Sequence, residues 1–129
     1  MNALALRVVI AAGLVIGGAS HAYLYLHGYS QVPTIGPAFL IQASGSFAIA
    51  VLLLFGNALI PRLAAAGLAV GALVGFVLSR TVGIGAFIEH GFDPAPQALI
   101  SVLAEVAVLA LLVVAWRIQP STAGARATS

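Results

Sequence analysis

Long apolar runs broken by short polar punctuation set the pattern of this chain. A membrane-crossing helix needs about 20 mostly apolar residues. Runs of that kind occur at about 4–26, 37–59, 63–79 and 97–116. Each is bounded by helix breakers or charges. Pro33, Gly36 and Pro37 open the second run, and Asn57, Pro61 and Arg62 close it and start the third. Asp93-Pro94 opens the fourth, the aspartate as N-cap and the proline at the first helical position. The pattern predicts an all-α protein, a membrane-embedded bundle of four transmembrane helices forming one domain over residues 1–119. Beyond it the segment STAGARATS is small and polar, so 120–129 reads as a disordered tail.

Composition turns this pattern into a location. The chain is 62% hydrophobic and only 6% charged, where soluble domains carry about 25% charged residues. So few charges cannot cover a water-facing surface, which predicts a multi-pass protein of the cell membrane with the lipid bilayer as its solvent. There is no cysteine, which excludes disulfides and thiolate metal sites. The net charge of +2 is that of 5 arginines against 3 acids and gives no sign of nucleic-acid binding. Arginines also set the threading, because basic residues accumulate on the cytoplasmic side. With both termini in the cytoplasm, Arg7, Arg62, Arg117 and Arg126 lie inside and Arg80 alone lies outside. A rival reading treats the N-terminal run as a secretory signal peptide ending small-x-small at Ser20-His21-Ala22. Its cleavage would leave three spans.

Under this threading the outer face collects the polar chemistry. The stretch SHAYLYLHGY, residues 20–29, holds two of the three histidines and all three tyrosines. Tyr23, Tyr25 and Tyr29 fit an interfacial aromatic belt, and Trp116 fits one on the other side. His21 and His27 fall on different faces of a straight helix, so a metal site would need one of them with Glu89, His90 or Asp93 from the outer loop. Imidazole and carboxylate ligands suit copper, zinc or iron. A haem with His21 as one axial ligand, or a quinone head, is a further candidate occupant. The bland alternative is a set of interfacial residues bonded to loop backbone.

Glu105 is the one acid deep inside a run. It lies about nine residues into the fourth helix, roughly 13 Å along its axis. A carboxylate at that depth faces the bundle interior and is paired or protonated. Ser101 lies one turn away on the same face. Arg80 and Gln42 are candidates to complete a buried polar pair or relay, with Ser44 and Ser46 near them. Gly67, Gly71 and Gly75 recur at spacing four in the third run, and Gly13 and Gly17 do so in the first. Such ridges let helix backbones approach closely in lipid, so both are expected to be packing faces. The apolar, glycine-broken segment at 82–92 either lies along the outer interface or dips back in, and in the second case Gly83 and Gly85 are its flexible points.

The runs HGYSQVPTIGPAFLIQA, LSRTVGIGAFIE and PAPQALISVLAEVAVL resemble a group of small four-helix integral membrane proteins from high-GC bacteria that have no assigned activity. The likeness spans roughly residues 20–112 and implies a four-span fold and no reaction. No phosphate loop, nucleophile elbow or dinucleotide fingerprint occurs. The chain therefore reads as a non-catalytic accessory or scaffold subunit, partnered by other membrane subunits or by its own copies. The alternative is an outer-face metal, haem or quinone-binding protein. A second alternative is a small proton-coupled transporter using Glu105.

Overall fold

The computed structural model describes residues 2–118. Four helices make up the fold: α1 (Ala3–Leu24), α2 (Ile35–Phe55), α3 (Leu59–Arg80) and α4 (Gln97–Ile118). All four are long and apolar enough to cross a membrane. The expected tail at 120–129, with Arg126, lies outside the described residues.

The ends of the helices follow local chemistry. Asn2 caps α1, its side-chain oxygen accepting from the Ala5 amide at 2.7 Å. At its far end α1 widens into a π-helical turn, Tyr25–Tyr29, which breaks where Gly28 takes a φ of 120°. The short connection at 56–58 returns the chain into α3. Here the boundary differs from expectation. Pro61 and Arg62 sit inside the first turn of α3, where a proline lacks only an amide that would have had no helical partner. Arg62 is therefore an internal residue, 2% exposed, bonded to Asn57 Oδ1 at 3.0 Å and stacked 5.1 Å from the Trp116 ring. Helix α4 starts at Gln97, where the fourth apolar run begins, but not with the expected cap. Asp93 is not its N-cap, and its first amide bonds run from Ala98 to the Pro94 carbonyl and from Ile100 to that of Pro96.

The helices form a ring. Helix α1 packs broadly on α2 and α4, and α3 closes the ring between them with a slighter contact to α2. One end, marked by Arg62, is dense. Leu6, Ile10, Leu14, Leu53, Val108 and Leu112 interlock there, with Ala65 and Ala69 letting α3 come close. The outer faces of the helices remain apolar, with Ile16, Leu52, Phe55, Val77 and Leu103 exposed.

The two glycine ridges do different things. A Cβ at Gly13 would come 2.8 Å from Val108 Cγ2, and one at Gly17 would come 3.3 Å from Glu105 Oε1, so the α1 ridge is a packing face against α4. Gly67, Gly71 and Gly75 face open space, with nothing within 4 Å of where a Cβ would stand. The expected packing by the α3 ridge is not made within the bundle.

The α3–α4 connection, 81–96, folds back over the Arg80 end. Gly83, Gly85 and Gly91 turn it through positive φ, and Ile84 and Phe87 exchange backbone bonds at 2.9 and 3.0 Å. The Glu89 amide then donates to the Ser79 carbonyl at 2.9 Å, which fixes this segment to the end of α3.

Candidate functional site

The space left by Gly71 and Gly75 belongs to a cavity of about 340 Å³ between all four helices, in the half of the bundle nearer Arg80. Most of its wall is hydrocarbon, from Leu24, Ile35, Phe39, Ile41, Phe76 and Val102. The polar contributions are few: His21, Gln42, Ser101 and Glu105 from α1, α2 and α4, with Ser79 and Arg80 from α3. An apolar pocket with a small convergent polar set is the usual form of a small-molecule site.

Glu105 is 5% exposed and anchors the polar wall. Ser101 Oγ lies 3.0 and 2.9 Å from its two carboxyl oxygens and donates to them. That pairing follows from the helix repeat, which puts residues four apart on one face. His21 approaches from α1, where Gly17, one turn earlier, leaves room for the carboxyl group. The His21 Nδ1 atom stands 2.9 Å from the Gly17 carbonyl and 3.9 Å from Glu105 Oε1. A carbonyl only accepts, so Nδ1 carries hydrogen and donates to Gly17. The other ring nitrogen has no protein hydrogen bond among the described residues. The imidazole edge meets Phe39 in a T-shaped contact at 5.0 Å. Behind Glu105 a void of about 10 Å³ reaches Gln42 and Ser46, room for about one water. Beyond that polar layer lies the dense apolar core of the Arg62 end.

The roof is aromatic and clamped. Arg80 Nε donates to the Gly91 carbonyl at 3.0 Å, and another guanidinium nitrogen donates to the Asp93 carbonyl. Its remaining end bonds Ser79 Oγ at 2.6 Å, and the group lies 4.1 Å from the Phe76 ring centre. Arg80 is thus spent on the connecting segment. The expected buried pair with Glu105 is not formed, although both residues border the cavity. Tyr29 donates to Glu89 Oε1 at 2.9 Å, and its ring stacks on Phe39 and meets Phe87 edge-on.

The structure does not assemble the outer metal site. Among the described residues no three of His, Asp or Glu gather around a common point. His27 is exposed, donates to the Tyr23 carbonyl at 2.7 Å and stacks on Tyr23 at 3.9 Å. His90 and Asp93 are exposed on the connecting segment, and Glu89 is held by Tyr29. Only His21 of that set reaches the cavity, and no second histidine faces it at a depth suited to haem ligation.

Of the residues expected to form a buried polar relay, Glu105, Ser101 and Gln42 do come together. Phe39, Phe76 and Phe87 were not legible as a wall, because a phenylalanine in an apolar run carries no mark of what it faces. Comparison of the chain with family models, with curated proteins and with solved structures finds no match in any of the three.

Proposed function

We propose that this chain is a multi-pass membrane protein that binds a small lipophilic molecule with one polar head, in the cavity between its four helices. The observation that carries the reading is the composition of the cavity wall: mostly hydrocarbon, with Glu105, Ser101, His21 and Gln42 converging at one side and Ser79 and Arg80 at the roof. A buried polar group in lipid is costly unless satisfied, so an ionisable side chain at a cavity wall is the mark of a ligand or ion route. An ion route is not favoured. The polar wall ends at Ser46, and the apolar core from Leu14 to Leu6 offers no continuation among the described residues.

Helices of this length and hydropathy suit a bilayer, and the arginine bias supports an outer Arg80 end with both termini in the cytoplasm. Within this reading the protein is a binding or carrier component and performs no bond-making chemistry itself. The accessory-subunit reading draws its support from the outer surface of α3, where Gly67 and Gly71 are exposed.

Native mass spectrometry of the detergent-purified protein, wild type beside Gly75→Leu, tests the proposal. The wild type is expected to carry a small-molecule adduct that organic solvent extracts. Gly75→Leu, which fills the cavity from the α3 side, is expected to carry none while folding normally. A wild type that is free of adduct and takes up none of a panel of lipophilic alcohols, acids and carbonyl compounds overturns it.

A further inference from the structure

The cavity has one side that the protein leaves open. Above it, Arg80, the Glu89–Ser79 backbone bond and the Tyr29, Phe39 and Phe87 rings close the outer end. Below it, α2 and α3 touch where Leu68 presses on Gly45, a Cβ there standing 3.1 Å from Leu68 Cδ1. Between these two closures the helices run antiparallel. The helical repeat puts Ile41 and then Ala38 one and two turns outward from Gly45, and Ala72 and then Gly75 one and two turns outward from Leu68. The α3 side of this gap is built from Gly71, Ala72 and Gly75 and projects almost nothing across it. Ala38, Ile41 and Gly71 border the cavity and are also exposed on the outer surface, Ile41 to 66%. The bundle therefore has a slot in its side, between α2 and α3, leading to the polar wall.

We propose that the ligand is an uncharged, hydroxyl-bearing, single-chain amphiphile that passes sideways from the bilayer through this slot. Its head lies against Glu105, and its chain trails out between Ile41 and Gly71. This rests on the ligand-binding reading above and adds the route and the class of molecule. The polar wall favours a hydroxyl. The single Ser101 proton cannot satisfy both Glu105 oxygens, so a carboxyl oxygen remains to accept from a ligand O–H. The second nitrogen of His21 is an acceptor as well when the ring is neutral, and the Gln42 amide supplies a donor for the hydroxyl oxygen. An ionised Glu105 repels an anionic head, and the Arg80 guanidinium that could answer one is bonded to Gly91, Asp93 and Ser79. The volume of about 340 Å³ lies at the lower end of small-molecule pockets, which suits a small head and the first part of one chain. The rest of the chain then needs the lipid outside, and the slot gives it that.

A long-chain alcohol bearing a photoreactive diazirine in mid-chain, added to the wild-type protein in lipid nanodiscs, reports both head class and route. Labelling is expected on α2 and α3 around Ala38, Ile41, Gly71 and Ala72, displaced by unlabelled hexadecanol and not by palmitate. Because the chain has no cysteine, the double variant Ile41→Cys/Ala72→Cys, bridged by a bifunctional thiol reagent with a reducible spacer, closes the slot. Closure is expected to slow loading about tenfold or more, and a reductant is expected to restore the wild-type rate, which also shows that the variant is folded. Saturable labelling with unchanged loading of the closed protein, concentrated on Phe87 and Pro94, overturns the side route while leaving the binding reading intact. Displacement by palmitate in preference to hexadecanol overturns the head class. Absence of any saturable labelling, together with an adduct-free wild type, overturns the binding reading itself.

Discussion

Gly13 and Gly17 on α1 share their spacing with Gly71 and Gly75 on α3, yet the two pairs have opposite effects. The α1 pair lets α4 close in, with Val108 and Glu105 filling the places where side chains would stand. The α3 pair meets nothing and leaves a cavity. The cause lies in the neighbours. Helix α1 is held between α2 and α4 along broad faces, so its small residues are met from α4. Helix α3 is anchored at its Arg62 end by Ala65, Ala69 and the Arg62–Trp116 stack, and its glycines continue past the point where α2 last touches it. Small residues permit close approach, and what approaches is decided elsewhere in the bundle.

The comparison can be broken by filling each ridge in turn. The largest effect is expected for Gly13→Leu, where even a Cβ would lie 2.8 Å from Val108. Overpacking a tight contact costs about 1–3 kcal/mol, and the melting temperature in detergent should fall accordingly. Glu105→Ala comes next. It leaves Ser101 without its acceptor in a buried place, a loss of about 1–3 kcal/mol, and it should abolish ligand retention. Glu105→Gln, read alongside it, should recover most of the stability.

Tyr29→Phe removes the bond to Glu89 at the roof. It is expected to cost about 1 kcal/mol and to show as faster hydrogen exchange confined to the segment at 81–96. Gly71→Ala is the smallest. It adds a methyl to open space and improves helix propensity, so stability should rise by up to about 1 kcal/mol with ligand retention nearly intact. A Gly71→Ala variant that melts far below the wild type would show that α3 packs against something not present in the single chain.

How much of this was legible in the sequence follows the physics of each signal. The four helices were, because length and hydropathy read directly as span-like segments. The Ser101–Glu105 pair was, because it lies within one helix at a fixed repeat. The cavity was not. A glycine records only that a side chain is missing, so a ridge that packs and a ridge that makes room look the same on paper. The outer histidines misled for a related reason. A shared outer face suggested that one of them could meet Glu89, His90 or Asp93, but His21 turns into the cavity, Glu89 is held by Tyr29, and His27, His90 and Asp93 are exposed. Arg62 looked like a boundary charge, and α3 instead absorbs it into a buried contact with Asn57 and Trp116. That contact depends on the return of α4, some fifty residues later.

The most direct test of the account is an experimental density map of the protein in lipid nanodiscs, taken at a resolution that separates side chains. The account predicts an elongated density in the cavity, with its head against Glu105 and Ser101 and its tail passing between Ile41 and Gly71. A protein helix lying along Gly67, Gly71 and Gly75, or a cavity collapsed by movement of α3 onto α2, would contradict it.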